Sequence, residues 1–129
     1  MKTKTLQKII SIKNNPHNVY EALMDSKKHT EFTESKAEIS RNIGGKFRTF
    51  DNWASGKNIE LIQDKKIVQT WRGADWPKDH YSTITLILTQ KGKETILDFT
   101  QTEIPEELYN DIKQGWKDWY WDRLKVYLE

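Results

Sequence analysis

An α+β fold built on an antiparallel sheet is expected here from three features. Apolar and polar residues alternate at period two through much of the stretch from Ala37 to Gln101, and short polar or glycine-containing turns interrupt it repeatedly. Helical spacing brackets that run, at Val19, Tyr20 and Leu23 before it and from Leu108 onward after it. The length, 129 residues, is that of one domain spanning residues 1–129, long enough to build a core without metals or disulfides. Strands enclosed by helices in this order argue for an antiparallel sheet rather than βαβ crossovers.

Leu6, Ile10 and Ile12 share one face of a β-branched stretch, which predicts a first strand over residues 6–12. Asn14-Asn15-Pro16 ends it. Asn15 suits a helix N-cap and Pro16 a first helical position, so a helix starts there, and Ser26 is placed to cap a second short helix reaching Phe32. Strands are then predicted over residues 37–41, 46–51, 58–62, 67–72, 81–90 and 94–101. Gly44-Gly45, the stretch from Trp53 to Gly56, Gln63 to Lys66, and Lys91 to Lys93 supply the turns, and a longer loop from Gly73 to Asp79 holds Trp76-Pro77. Glu106-Glu107 open a final helix to Tyr127, a rod about 30 Å long.

The composition excludes several functions. There is no cysteine, hence no disulfide scaffold, thiol nucleophile or thiolate-bound zinc. The net charge is +2 with signs interspersed, which lacks the concentrated basic face that nucleic-acid binding requires. No apolar run reaches about 18 residues and no signal-type apolar stretch follows the basic N-terminus, so no membrane role is expected and the protein is expected in the cytoplasm. His17, His29 and His80 lie far apart without ligand spacing; each is expected at the surface, and no metal or cofactor is expected. Asp75, Asp79 and His80 beside Trp76 could move a proton, but no third group orients them and an ordinary polar loop is the expected reading.

Six Trp, five Tyr and four Phe make 12% of the chain, and they either fill a core or line a cavity. On the last helix, Leu108, Ile112, Gly115, Trp116, Trp119, Arg123 and Tyr127 fall on one broad face, with Trp121, Leu124 and Leu128 turned away. Gly115 allows close approach, and Arg123 amid apolar neighbours must snorkel, pair with an acid or point into a wet cavity.

Three blocks then resemble a known family. Gly44-Gly45-Lys46-Phe47, with residues 51–56 and Asn58-Ile59-Glu60-Leu61, form the first. Ile67-Val68-Gln69-Thr70-Trp71-Arg72, with Asp75-Trp76-Pro77 and Tyr81-Ser82, form the second. Ile104-Pro105, then Gly115-Trp116 and Trp119-Tyr120, form the third. In this order they resemble the activator of heat-shock-protein-90 ATPase homologue domain, of the START-like or SRPBCC superfamily. The resemblance implies a helix-grip fold: a curved antiparallel sheet wrapped around a long C-terminal helix, with two short helices after the first strand. It also implies a hydrophobic cavity between sheet and helix. The matched residues Phe47, Trp71, Trp76, Trp116, Trp119 and Tyr120 are expected to line it, joined by Trp53 and Arg123 on pattern alone, with ordinary core packing the competing role for each aromatic. The family's eukaryotic chaperone activators carry a further N-terminal domain; the sequence here opens directly on its first strand, so that domain is expected to be absent.

Three functions are open to such a chain. The expected one is a non-catalytic module that holds a small hydrophobic or aromatic ligand in the cavity. The alternative is a co-chaperone that binds heat-shock protein 90 and stimulates its ATPase. The third is a cyclase- or hydrolase-type enzyme using Asp75, Asp79, His80 and Arg123, which requires those four groups to share a cavity.

Overall fold

The computed structural model describes residues 1–129. Strand β1 (Thr3–Ile12) leads into helices α1 (Pro16–Met24) and α2 (Ser26–Thr33). Six strands follow: β2 (Glu38–Ile39), β3 (Lys46–Thr49), β4 (Ala54–Ile62), β5 (Lys66–Gly73), β6 (Ser82–Lys91) and β7 (Glu94–Pro105). The chain closes with a helix that begins as a 3₁₀ turn, Glu106–Leu108, runs as α3 (Tyr109–Trp116), loosens into a π turn, Lys117–Trp121, and resumes as α4 (Asp122–Leu128). The sheet is seven-stranded and antiparallel, in the order β1-β7-β6-β5-β4-β3-β2. It wraps around the long C-terminal helix, the helix-grip arrangement expected from the resemblance.

Local chemistry accounts for most boundaries. The Asn15 side chain accepts from the Asn18 amide at 2.8 Å, with Pro16 at the first helical position, as predicted. Asp25, not Ser26, caps α2, accepting from the Lys28 amide at 3.0 Å; Ser26 instead accepts from the Ile39 amide at 2.8 Å, tying the helix to β2. Only Glu38–Ile39 of the predicted strand 37–41 pairs with a neighbour. Residues 54–56, expected as a turn, open β4, because Gly56 there serves close strand approach. A Cβ on Gly56 would stand 1.8 Å from the Thr70 carbonyl oxygen.

The core lies between the sheet's inner face and the helices. Alternate residues of β5, β6 and β7 point into it, among them Ile67, Trp71, Ile84, Leu86, Leu97 and Phe99. One polar relay crosses this apolar layer. The Trp116 indole N–H donates to Gln101 Oε1 at 2.8 Å, Gln101 Nε2 donates to the Ser82 hydroxyl at 2.9 Å, and that hydroxyl donates to the Trp71 carbonyl at 2.7 Å. Gln101 and Ser82 are fully buried, so the relay satisfies groups that water cannot reach and fixes α3 over three strands.

The π turn corrects the helix faces read from regular spacing. A single wide turn adds about one residue and rotates everything after it. Trp121 and Leu124, expected to face away, are buried at 5% and 0%, and Trp121 stacks on Trp116 at 5.4 Å with planes 16° apart. His29, expected at the surface, is also buried, packed against Phe32, Phe50 and Tyr120.

Candidate functional site

The helix stripe Leu108, Asp111, Ile112, Gly115, Trp116 and Trp119 forms one wall of a cleft of about 460 Å³. Facing it are Phe50 and Trp53 from the β3–β4 connection, Trp71 at the end of β5, Asp75 and Trp76 from the β5–β6 loop, and Ser35 after α2; Tyr120 completes the lining. The volume lies in the range of small-molecule sites, and the lining is predominantly aromatic. Trp71, Trp76, Trp116 and Tyr120 are almost wholly buried and form its floor, whereas Trp53 and Trp119, 38% and 44% exposed, stand at the mouth.

Each wall is held by identifiable interactions. Phe50, Asp51 and Asn52 are all left-handed, with φ of 53°, 56° and 74°, a conformation uncommon outside glycine. The Asp51 amide donates to the Lys36 carbonyl and the Trp53 amide to the Phe50 carbonyl, pinning this turn so that both aromatic side chains reach the cleft. The Arg72 guanidinium donates to the carbonyls of Trp76, Pro77 and His80 at 2.8, 3.2 and 3.3 Å, ordering the loop that carries Asp75 and Trp76. Gly73 leaves room for two indoles to close on the backbone: a Cβ there would meet Trp53 at 2.7 Å and Trp76 at 3.0 Å. Trp53, Trp71 and Trp76 pack edge to face at 5.7 and 5.4 Å between centroids. Opposite them, a Cβ on Gly115 would meet nothing within 4 Å. The close approach expected at Gly115 therefore comes from no protein atom; the glycine enlarges the cleft.

Six of the eight expected cavity residues meet here: Trp53, Trp71, Trp76, Trp116, Trp119 and Tyr120. Phe47 does not line this cleft; it lines a separate void of about 30 Å³ beneath it, because the inward register of β3 carries it under Trp71. Arg123 is also outside. The π turn rotates it off the cleft face, where its guanidinium donates to the Thr33 and Asp118 carbonyls, stacks 4.2 Å above the Trp119 ring, and stands 3.5 Å from Glu34. Phe50, Leu108, Asp111 and Ile112 were missed as lining residues; the spacing of 108, 111, 112 and 115 along one helix stripe was the available signal. Of the four enzyme suspects only Asp75 reaches the cleft, while His80 Nε2 is hydrogen-bonded to the Glu103 carbonyl at 2.7 Å.

Below the cleft, Tyr120 and His29 are hydrogen-bonded through the hydroxyl and Nε2 at 3.0 Å. Burial holds the His29 imidazole down at a pKa of about 4 and pushes the Tyr120 hydroxyl up. A trio of possible metal ligands, His17, Glu21 and Asp64, lies on the far side of α1. Its members are already engaged: Arg41 clamps Glu21 and holds its carboxyl below the usual range, and His17 Nδ1 lies within hydrogen-bond distance of Asp64, at 3.1 Å.

A family model described as Activator of Hsp90 ATPase homolog 1-like protein matches residues 13–129. The chain belongs to this family. Among curated members, it is 33% identical to the human Activator of 90 kDa heat shock protein ATPase homolog 1 over 110 residues, which covers 85% of this chain and 32% of the human one. The Dictyostelium discoideum Activator of 90 kDa heat shock protein ATPase homolog is likewise 33% identical, over 124 residues, covering 95% of this chain and 32% of that protein. This chain thus spans about a third of the length of those relatives. Among solved structures, an HSP90 activator from Plasmodium falciparum superposes with a TM-score of 0.89 at 26% identity, covering 95% of this chain and 94% of that one. The Activator of Hsp90 ATPase homolog 1-like family is therefore assigned on sequence and fold together. No helix of this member is long and apolar enough to cross a membrane.

Proposed function

We propose that this member of the family is a binding module whose cleft takes a small apolar or aromatic ligand. The observation that carries the reading is the 460 Å³ aromatic cleft, widened by a glycine on a helix where alanine or leucine would favour helix formation. The lining offers flat apolar surface for stacking and buries most of a ligand of that size. Trp119 and Trp53 at the mouth provide the contacts that close over it.

A second reading is docking on heat-shock protein 90 with stimulation of its ATPase, the activity that the relatives' names describe. Family membership supports it. In that case the outer surface carries the function and the aromatics of the cleft hold the fold together.

The variant Gly115→Leu separates the two readings. Helix propensity favours it by about 0.8 kcal/mol, so it is expected to fold at least as well as the parent. Its side chain grows into the cleft from a position where, beyond the neighbouring residues and backbone of its own helix, no protein atom lies within 4 Å. Under the ligand reading, neutral aromatic probes such as indole raise the melting temperature of the parent and not of the variant. Under the chaperone reading, both proteins bind the chaperone and raise its ATP turnover alike, and no aromatic probe discriminates between them. A variant that keeps the full probe-induced shift overturns the first reading.

A further inference from the structure

The cleft also carries a charge pattern that selects among apolar ligands. Asp75 and Asp111 are the only ionisable acids or bases in its lining apart from the buried Tyr120 hydroxyl; no lysine, arginine or histidine contributes. Both carboxylates are solvent-exposed at the mouth, and neither has a hydrogen-bond or ion-pair partner in the protein. Some acids elsewhere are paired, among them Glu21 with Arg41, Glu60 with Lys66 and Asp122 with Lys117, while others on the open surface, such as Asp79, Glu106 and Glu107, are unpaired as these two are. What sets Asp75 and Asp111 apart is their place in the lining of an aromatic cleft. In a chain whose net charge is +2, the mouth of this one cleft is negative.

The rings beneath point the same way. Indole faces are electron-rich and attract cations, tryptophan most strongly of the aromatic side chains. One ring at the mouth already behaves so, since the Arg123 guanidinium lies 4.2 Å from the Trp119 centroid, with Glu34 at 3.5 Å offsetting its charge. Five of the six tryptophans line the cleft.

We propose that the cleft selects cationic amphiphiles: molecules with an apolar or aromatic body for the tryptophan-lined floor and an ammonium head at the mouth, between Asp75 and Asp111. This rests on the reading of the cleft as a ligand site and names the class of ligand it takes. Carboxylate-headed ligands of the same shape are disfavoured, because the lining offers their charge two carboxylates and no cation, the Arg123 guanidinium on Trp119 being outside the cleft and faced by Glu34.

The test compares phenyltrimethylammonium with its uncharged isostere tert-butylbenzene, by quenching of tryptophan fluorescence in the intact protein at low salt. Phenyltrimethylammonium is expected to bind about tenfold more tightly. The advantage disappears in the double variant Asp75→Asn/Asp111→Asn and at high salt, while tert-butylbenzene binds as before. Both positions are exposed, so the variant folds. Equal affinities for the two probes overturn the cation selectivity and leave the cleft reading standing. A preference that survives the double substitution overturns the role of the carboxylates. If neither probe binds, the cleft reading fails and this inference falls with it.

Discussion

Trp116→Ala is expected to destabilise the fold by about 4 kcal/mol, as large aromatic truncations in cores do. Trp116 contacts Phe99, Tyr120 and Trp121 at centroid distances of 4.6, 4.4 and 5.4 Å, so its removal leaves a cavity walled by rings that cannot collapse into it. The loss also strands Gln101 Oε1, which accepts the indole N–H and has no exposed surface. For a domain of this size the melting temperature should fall by about 15 °C in a thermal unfolding experiment. Trp116→Phe separates the two contributions: it retains most of the ring volume and loses the hydrogen bond, so it should cost about 2 kcal/mol. An alanine variant within about 1 kcal/mol of the parent contradicts the packing described here.

Acidification provides the second large effect. The His29 imidazole is neutral in the fold, with its pKa lowered from 6.5 to about 4 by burial. No carboxylate contacts the ring; Phe32, Phe50 and Tyr120 surround it, and the Tyr120 hydroxyl, raised by its own burial, stays protonated. The unfolded chain takes up a proton on this histidine below pH 6.5 and the folded one does not until about pH 4. Stability on this account is fully present above pH 6.5, declines as pH falls through that window, and is reduced by about 3 kcal/mol at its lower end. Denaturant unfolding at successive pH values should show a slope near 1.4 kcal/mol per pH unit in the middle of the window. His29→Leu should flatten that slope above the carboxylate range, although its stability at neutral pH is lower because the Tyr120 hydroxyl loses its partner. An unchanged slope in the variant would place the titration elsewhere.

The sheet was legible because its signals are local. Ile84, Leu86 and Leu88 alternate without interruption, and Asn15-Pro16 marks a helix start that needs no tertiary information. The cleft was legible in part, since Trp53, Trp71, Trp76, Trp116, Trp119 and Tyr120 converge as expected. The failures have a common cause. Whether Trp119 or Trp121 faces inward depends on one π turn, and regular spacing cannot register a turn that adds a residue. Phe50 reaches the cleft only because three successive residues take positive φ, a conformation that the packing around them imposes. His29 sits among Lys27, Lys28 and Glu31 on a mostly polar helix, where nothing distinguishes a buried histidine from a solvated one. Asp111 lies in phase with Leu108, Ile112 and Gly115, and its place on the cleft wall follows from that spacing once the apolar residues beside it are known to face a cavity.

The tryptophans themselves provide the most direct test that the cleft is a ligand site. Each of the six gives its own indole N–H resonance in an isotope-labelled sample, and titration with indole reads them separately. The resonances of Trp53, Trp71, Trp76, Trp116 and Trp119 should shift together with a single saturation curve. Trp121 packs behind Trp116 against Phe99 and lines no part of the cleft, so it should stay in place as an internal reference. Five resonances that do not move, or shifts no larger at the cleft tryptophans than at Trp121, would contradict the account and leave these rings as core alone.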